Sequence, residues 1–141
     1  PRAKDAAVAL GLRAPCHNPY MITIAQVVEV MHAAEDSLLL IDTLLEQGLE
    51  EEAAPSGIRA GRGVGAVEAP RGILYHDYTY DENGILTNAN CIIPTNQNHA
   101  NIQLDMEALV PTMLDRSEDD IRLALEMLVR AYDPCISCST H

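Results

Sequence analysis

Two cysteines, Cys135 and Cys138, have the spacing best suited to chemistry in this chain. With two residues between them they can present two thiolates to one soft metal ion or cluster, and sulfur is the donor such metals select. Other uses of a Cys-x-x-Cys pair fit less well. A c-type haem site needs histidine directly after the second cysteine, and here Ser139 and Thr140 intervene before His141. A zinc site needs about four ligands. His141 could be a third and His17 or Cys16 a fourth, but no second Cys-x-x-Cys is present. A redox dithiol ordinarily stands at the start of a helix, whereas this pair follows a helical pattern. A ligand role is preferred to a purely structural pair, and the residues alone leave the metal open.

The other reactive side chains have blander readings. Arg71 carries a permanent charge and fixed donors, and in so acidic a chain its default role is an ion pair. Cys16 and Cys91 read as buried, inert thiols. His17, His32, His76 and His99 read as structural or surface residues, and Glu68 as an ion-pair residue rather than a catalytic acid.

The elements that must position these groups follow from pattern. Residues 1–20 read as irregular. From Ile22 to Leu45, apolar residues fall three or four apart on more than one stripe, as in a helix buried among neighbours. Gly48 can end it, and Glu50, Glu51 and Glu52 open a polar linker reaching about Ala60. The close-set Gly61, Gly63 and Gly65 allow sharp turning or close approach. Ile73–Tyr80 and Ile85–Ile93 read as a hairpin about the turn Asp81-Glu82-Asn83-Gly84, and Pro94 stops its second strand. A short helix is expected over Asn101–Leu109. Another runs from Glu118 to Tyr132, with Ser117 as N-cap and Asp120 as its capping-box partner. The expectation is one helix-rich α+β domain over 1–141.

Composition narrows the function. The formal charge of −12 repels phosphate backbones, so nucleic acid is not an expected partner. No stretch is apolar for the roughly 20 residues of a membrane span: Met21–Leu45 is interrupted by Gln26, Glu29, His32, Glu35, Asp36 and Asp42. There are five tyrosines but no phenylalanine or tryptophan, so core volume must come from aliphatic residues. The first residue, Pro1, suggests a processed or cut piece.

A resemblance joins these features. The run Asp133-Pro134-Cys135-Ile136-Ser137-Cys138-Ser139-Thr140-His141 resembles the Asp-Pro-Cys-x-x-Cys-x-x-His motif of the large subunit of nickel–iron hydrogenases, after whose histidine a maturation protease cuts. Glu68-Ala69-Pro70-Arg71-Gly72 is similar to that family's Glu-Ala-Pro-Arg-Gly segment, and Pro94-Thr95-Asn96-Gln97-Asn98 to its Pro-Thr-x-x-Asn segment. Order and spacing agree over about residues 15–141.

The resemblance implies the C-terminal portion of that large-subunit fold, and reversible oxidation of hydrogen to protons and electrons. Cys135 would be a terminal nickel ligand and Cys138 a bridge from nickel to iron. Arg71 would stand above the metals. Ala69, Pro70, Ile93 and Pro94 would wall the pocket around the carbon monoxide and cyanide ligands of iron, with the Arg71 backbone and Thr95 hydroxyl bonding to the cyanides. His141 and the Leu74 carbonyl would bind a magnesium ion. The family's other cysteine pair lies in an Arg-x-Cys-Gly-x-Cys motif absent here, so the remaining N-terminal part of the large subunit is an implied partner. A small subunit with iron–sulfur clusters and an electron-acceptor module are implied as well. The Cys-Ile-Ser-Cys-Ser and Arg-Gly-Ile-Leu-Tyr-His wording resembles the soluble, cytoplasmic branch. Rival readings are a hydrogen sensor, a zinc or redox module, and the related quinone-site subunits of respiratory complex I. Those last subunits lack the cysteines retained here.

Overall fold

The computed structural model describes residues 2–53 and 57–135. The chain forms two units, 1–55 and 56–141, described in turn.

In the first unit, α1 (Arg2–Ala9) lies against α2 (Ile22–Gln47). This N-terminal stretch, irregular by its sequence pattern, is thus a helix. Four of its eight residues are alanine, the strongest helix former. Its open N-terminal amides are met by one side chain: Glu35 of α2 accepts from the Arg2 N–H (2.9 Å) and the Ala3 N–H (3.2 Å). Those two bonds hold the Glu35 carboxyl below its ordinary range. A periodic pattern cannot reveal a cap supplied from 33 residues away. The long helix agrees with the pattern that predicts it, and Gly48, with φ 80°, ends it by donating its N–H to the Leu44 carbonyl. None of its residues is buried: Val30, Leu38, Leu39 and Leu45 are each more than 60% exposed. Among the described residues no helix is long and apolar enough to cross a membrane.

The second unit is built on an antiparallel sheet of β1 (Gly61–Ala69), β2 (Gly72–Tyr80) and β3 (Leu86–Ile92), in that order. The expected hairpin is β2–β3. Its turn is held by the Asp81 carboxylate, which accepts from the Asn83 and Ile85 N–H groups at 2.8 and 2.9 Å. The glycine-rich stretch, expected from sequence to turn sharply or approach closely, is instead strand β1. Nine register pairs with β2 outweigh the poor strand propensity of its glycines.

Helix α3 (Pro94–Leu109) starts earlier than the expected Asn101. The proline that stops β3 opens it, since proline suits a first helical turn whose N–H groups have no helical partner. Helix α4 (Glu118–Ala131) begins as predicted, with Ser117 Oγ accepting the Asp120 N–H at 3.2 Å. Its residues Leu128 and Ala131 are buried. The Tyr132 hydroxyl then donates to Asp105 Oδ2 of α3 at 2.6 Å. Burial first, and that carboxylate second, push the Tyr132 phenol up to about 12. The antiparallel sheet and four helices make the helix-rich α+β fold that the sequence predicts.

Candidate metal centre

Three separate segments of the second unit meet at one end of its sheet. The first is the tight turn from β1 to β2, where Ala69 pairs with Gly72 and only Pro70 and Arg71 lie between. Gly72 is required there. Its φ is 139°, and a Cβ would stand 3.4 Å from the Pro94 Cβ. This close approach seats the turn on the second segment, the junction of β3 and α3 at Ile93 and Pro94. The third segment is the chain leaving α4.

Hydrogen bonds from the first turns of α3 tie the segments together. Buried Thr95, only 3% exposed, uses its hydroxyl oxygen to accept the Cys135 N–H at 3.2 Å. Gln97 donates from Nε2 to the Ile73 carbonyl at 2.8 Å, and Asn98 donates from Nδ2 to the Arg71 carbonyl at 3.1 Å. One short stretch of helix therefore grips both the sheet end and the cysteine-bearing segment.

Arg71 crosses between the same parts. Its Nε–H donates to the Asp133 carbonyl, and its Nη2 lies 3.0 Å from Asp133 Oδ2. Asp133 has φ 48°, in the left-handed region that aspartate tolerates better than most residues. That conformation turns the chain sharply after α4, just before Pro134 and Cys135. The ion pair expected of Arg71 by default is present, and its partner belongs to the cysteine motif itself.

Arg71, Thr95 and Cys135 are thus brought together, with Pro94 against the turn that carries Arg71. Ala69 and Pro70 lie on that turn, and Leu74 lies on β2 opposite Val67. Cys138 and His141, both singled out from sequence, lie outside the described residues. Cys91 is on β3 opposite His76, and Cys16 belongs to the first unit; both are exposed rather than buried as expected, Cys91 because its strand β3 lies at the edge of the sheet. Among the described residues, no three histidine, cysteine, aspartate or glutamate side chains converge as a metal site. Sequence reasoning assigns no role to Asp133, Gln97 or Asn98. All three lie in the quoted motif blocks, which is the signal that could have found them.

Cys135 fits one part of a thiolate metal centre. Its main chain is fixed by Thr95, and the sulfur of Cys138 follows three residues later. A complete centre needs donors beyond the described residues.

Comparison with known proteins gives a consistent result. The family profile described as nickel-dependent hydrogenase matches residues 15–141. One component of the F420-non-reducing hydrogenase of Methanothermobacter marburgensis is 40% identical over 122 residues, covering 83% of this chain and 25% of that protein. The alpha subunit of sulfhydrogenase 2 from Pyrococcus furiosus is 40% identical over 119 residues, covering 84% and 29% respectively. The beta subunit of the NAD-reducing hydrogenase HoxS from Cupriavidus necator is 38% identical over 121 residues, covering 83% and 25%. The crystal structure of an NAD+-reducing [NiFe]-hydrogenase in the H2-reduced state superimposes with a TM-score of 0.77 at 31% identity, covering 99% of this chain and 32% of that one. The chain spans about a quarter of the length of these curated relatives.

Proposed function

The chain belongs to the nickel-dependent hydrogenase family, and from that premise we propose that it is the C-terminal portion of a hydrogenase large subunit, furnishing two cysteine ligands of a nickel–iron centre. The observation that carries this reading is the convergence of Arg71, Thr95 and Cys135 from three segments. The reaction is reversible oxidation of molecular hydrogen to protons and electrons.

Cys135 and Cys138 would hold the metals, and thiolate suits a nickel that changes oxidation state. Once bound, a nickel–iron pair of the kind that carries carbon monoxide and cyanide would supply the Lewis acidity and redox capacity for splitting hydrogen. Arg71 brings a fixed positive charge to the open side of the site. Its Nε and Nη2 are engaged by Asp133, so its guanidinium is oriented before substrate arrives. Thr95 holds the Cys135 main chain through its oxygen, and its hydroxyl proton would be donated to a cyanide of the bound centre. Ala69, Pro70, Ile93 and Pro94 form apolar walls that exclude water. By the resemblance, His141 and the Leu74 carbonyl would hold a magnesium ion.

The remaining ligands come from the rest of the large subunit, which also covers the apolar faces of α2. Electrons would leave through iron–sulfur clusters of a small subunit to an acceptor module. The similarity to NAD-reducing and F420-non-reducing relatives supports a cytoplasmic enzyme.

The test is elemental analysis of the purified native assembly, with an infrared spectrum. Nickel and iron together with bands of metal-bound carbon monoxide and cyanide are the expected result. Zinc alone, or no metal and no such bands, would overturn the proposal.

A further inference from the structure

A second cluster of donor atoms lies on the sheet, away from Arg71 and Cys135. Register places His76 of β2 directly opposite Cys91 of β3, and Tyr78 lies two residues along β2 on the same face. His76 Nδ1 is 2.6 Å from the Tyr78 hydroxyl, and Cys91 Sγ is 3.5 Å from both atoms. Three different donors thus converge on one patch of a hydrogen-bonded sheet.

The neighbouring strand leaves that face uncovered. Gly61, Gly63 and Gly65 of β1 pair with Tyr80, Tyr78 and His76, so the positions beside them carry no side chain. A Cβ built at any of the three would meet nothing within 4 Å. No contact within the described chain therefore calls for these glycines, and the space beside the trio is open.

We infer that His76 Nδ1, Cys91 Sγ and the Tyr78 hydroxyl oxygen form a binding site for a thiophilic divalent cation of the zinc class, with a coordination position open to solvent or a further ligand. The spacing supports this choice. A tetrahedral ion with metal–sulfur of about 2.3 Å and metal–nitrogen of about 2.0–2.1 Å holds sulfur and nitrogen roughly 3.5–3.6 Å apart. The 3.5 Å between Cys91 and His76 meets that separation as it stands. The sulfur–oxygen separation meets it equally. Only the His76–Tyr78 hydrogen bond must open, from 2.6 Å to roughly 3.3 Å. On binding, Cys91 coordinates as thiolate and its proton passes to solvent. A phenol is a weaker third donor than histidine or carboxylate, so the site belongs to the exchangeable kind with an open position rather than a closed structural one. Neither the residues nor the site depends on the nickel–iron reading.

Cobalt(II) is a suitable probe, because a thiolate ligand gives it an intense near-ultraviolet charge-transfer band. Titrating the purified full-length protein with cobalt should develop this band at about one equivalent. It should disappear in Cys91→Ser, require at least tenfold more cobalt in His76→Gln, and persist in Cys16→Ser. Absence of the band, or its survival in Cys91→Ser, overturns the assignment. A measurement without variants guards against misfolding. Stoichiometric zinc should slow alkylation of Cys91 by iodoacetamide at least tenfold, read by mass spectrometry, and leave Cys16 unaffected. An unchanged Cys91 rate overturns the site as well.

Discussion

Replacing Arg71 by lysine keeps the charge and removes the geometry. The guanidinium reaches two acceptors on Asp133 at once, the carbonyl through Nε and the carboxylate through Nη2. An ammonium is a single point of donation and cannot reproduce both. The neutral-acceptor bond is worth about 0.5–1.5 kcal/mol. The ion pair is 32% and 45% exposed on its two sides, so solvent screening limits it to about 0–1 kcal/mol. Together they bias the seated position by about 0.5–2.5 kcal/mol, roughly a two- to seventyfold change in the fraction of time the cation is in place. Hydrogen-dependent reduction of a viologen dye should fall within that range in Arg71→Lys, with the infrared bands of the centre intact. Asp133→Asn keeps a residue that tolerates the left-handed backbone and keeps the carbonyl acceptor. It should cost no more than about fivefold, the whole of the screened pair. Wild-type turnover in Arg71→Lys would refute the claim that the fork geometry matters. A loss matched by equal loss of nickel would assign Arg71 to assembly alone.

Three further outcomes are expected. Thr95→Val removes the acceptor for the Cys135 N–H, worth about 0.5–1.5 kcal/mol, so hydrogen exchange at Cys135 should accelerate about two- to tenfold while Thr95→Ser leaves it unchanged. Cys138→Ser should abolish retention of nickel and iron by elemental analysis, whereas Cys91→Ser should not; equal loss in both would remove the basis for the ligand assignment. The Tyr132 phenol is raised to about 12 in the fold from an unfolded value of about 10. Its contribution to stability is therefore fully present below pH 10 and is lost as pH rises from 10 towards 12. Tyr132→Phe should flatten that alkaline limb in urea titrations, and a limb of unchanged slope would show that other groups cause it.

Local chemistry makes much of this fold legible. Ser117 and Asp120 mark the start of α4 because a capping pair acts within one turn of chain. The turn at Asp81–Gly84 marks the β2–β3 hairpin for the same reason. What escapes depends on partners distant in sequence. Strand β1 is poor in strand formers, and only its pairing with β2 makes it a strand. The cap on α1 comes from Glu35. At the site, motif blocks point to Arg71, Thr95 and Cys135 but not to what holds them. The Asp133 pairing and the Gln97 and Asn98 bonds join residues 24–62 positions apart, which no spacing rule reports.

Those bonds also explain why the motif blocks occur as blocks. Pro94 starts a helix and lies against Gly72, so the β1–β2 turn and the helix start cannot move independently. Thr95, Gln97 and Asn98 then hold the Cys135, Ile73 and Arg71 main chains from the first turns of that helix. Each bond goes to a backbone group, so it fixes where the chain runs and leaves the Cys135 thiol and the Arg71 guanidinium to their own roles. Arg71 in turn closes the loop through Asp133, immediately before the cysteines. A displacement of α3 would strain its bonds to the β1–β2 turn, to the start of β2 and to the chain leaving α4 together. Such coupling would suit the proposed centre, whose reacting groups would have to keep their separation while the charge at the metals changed.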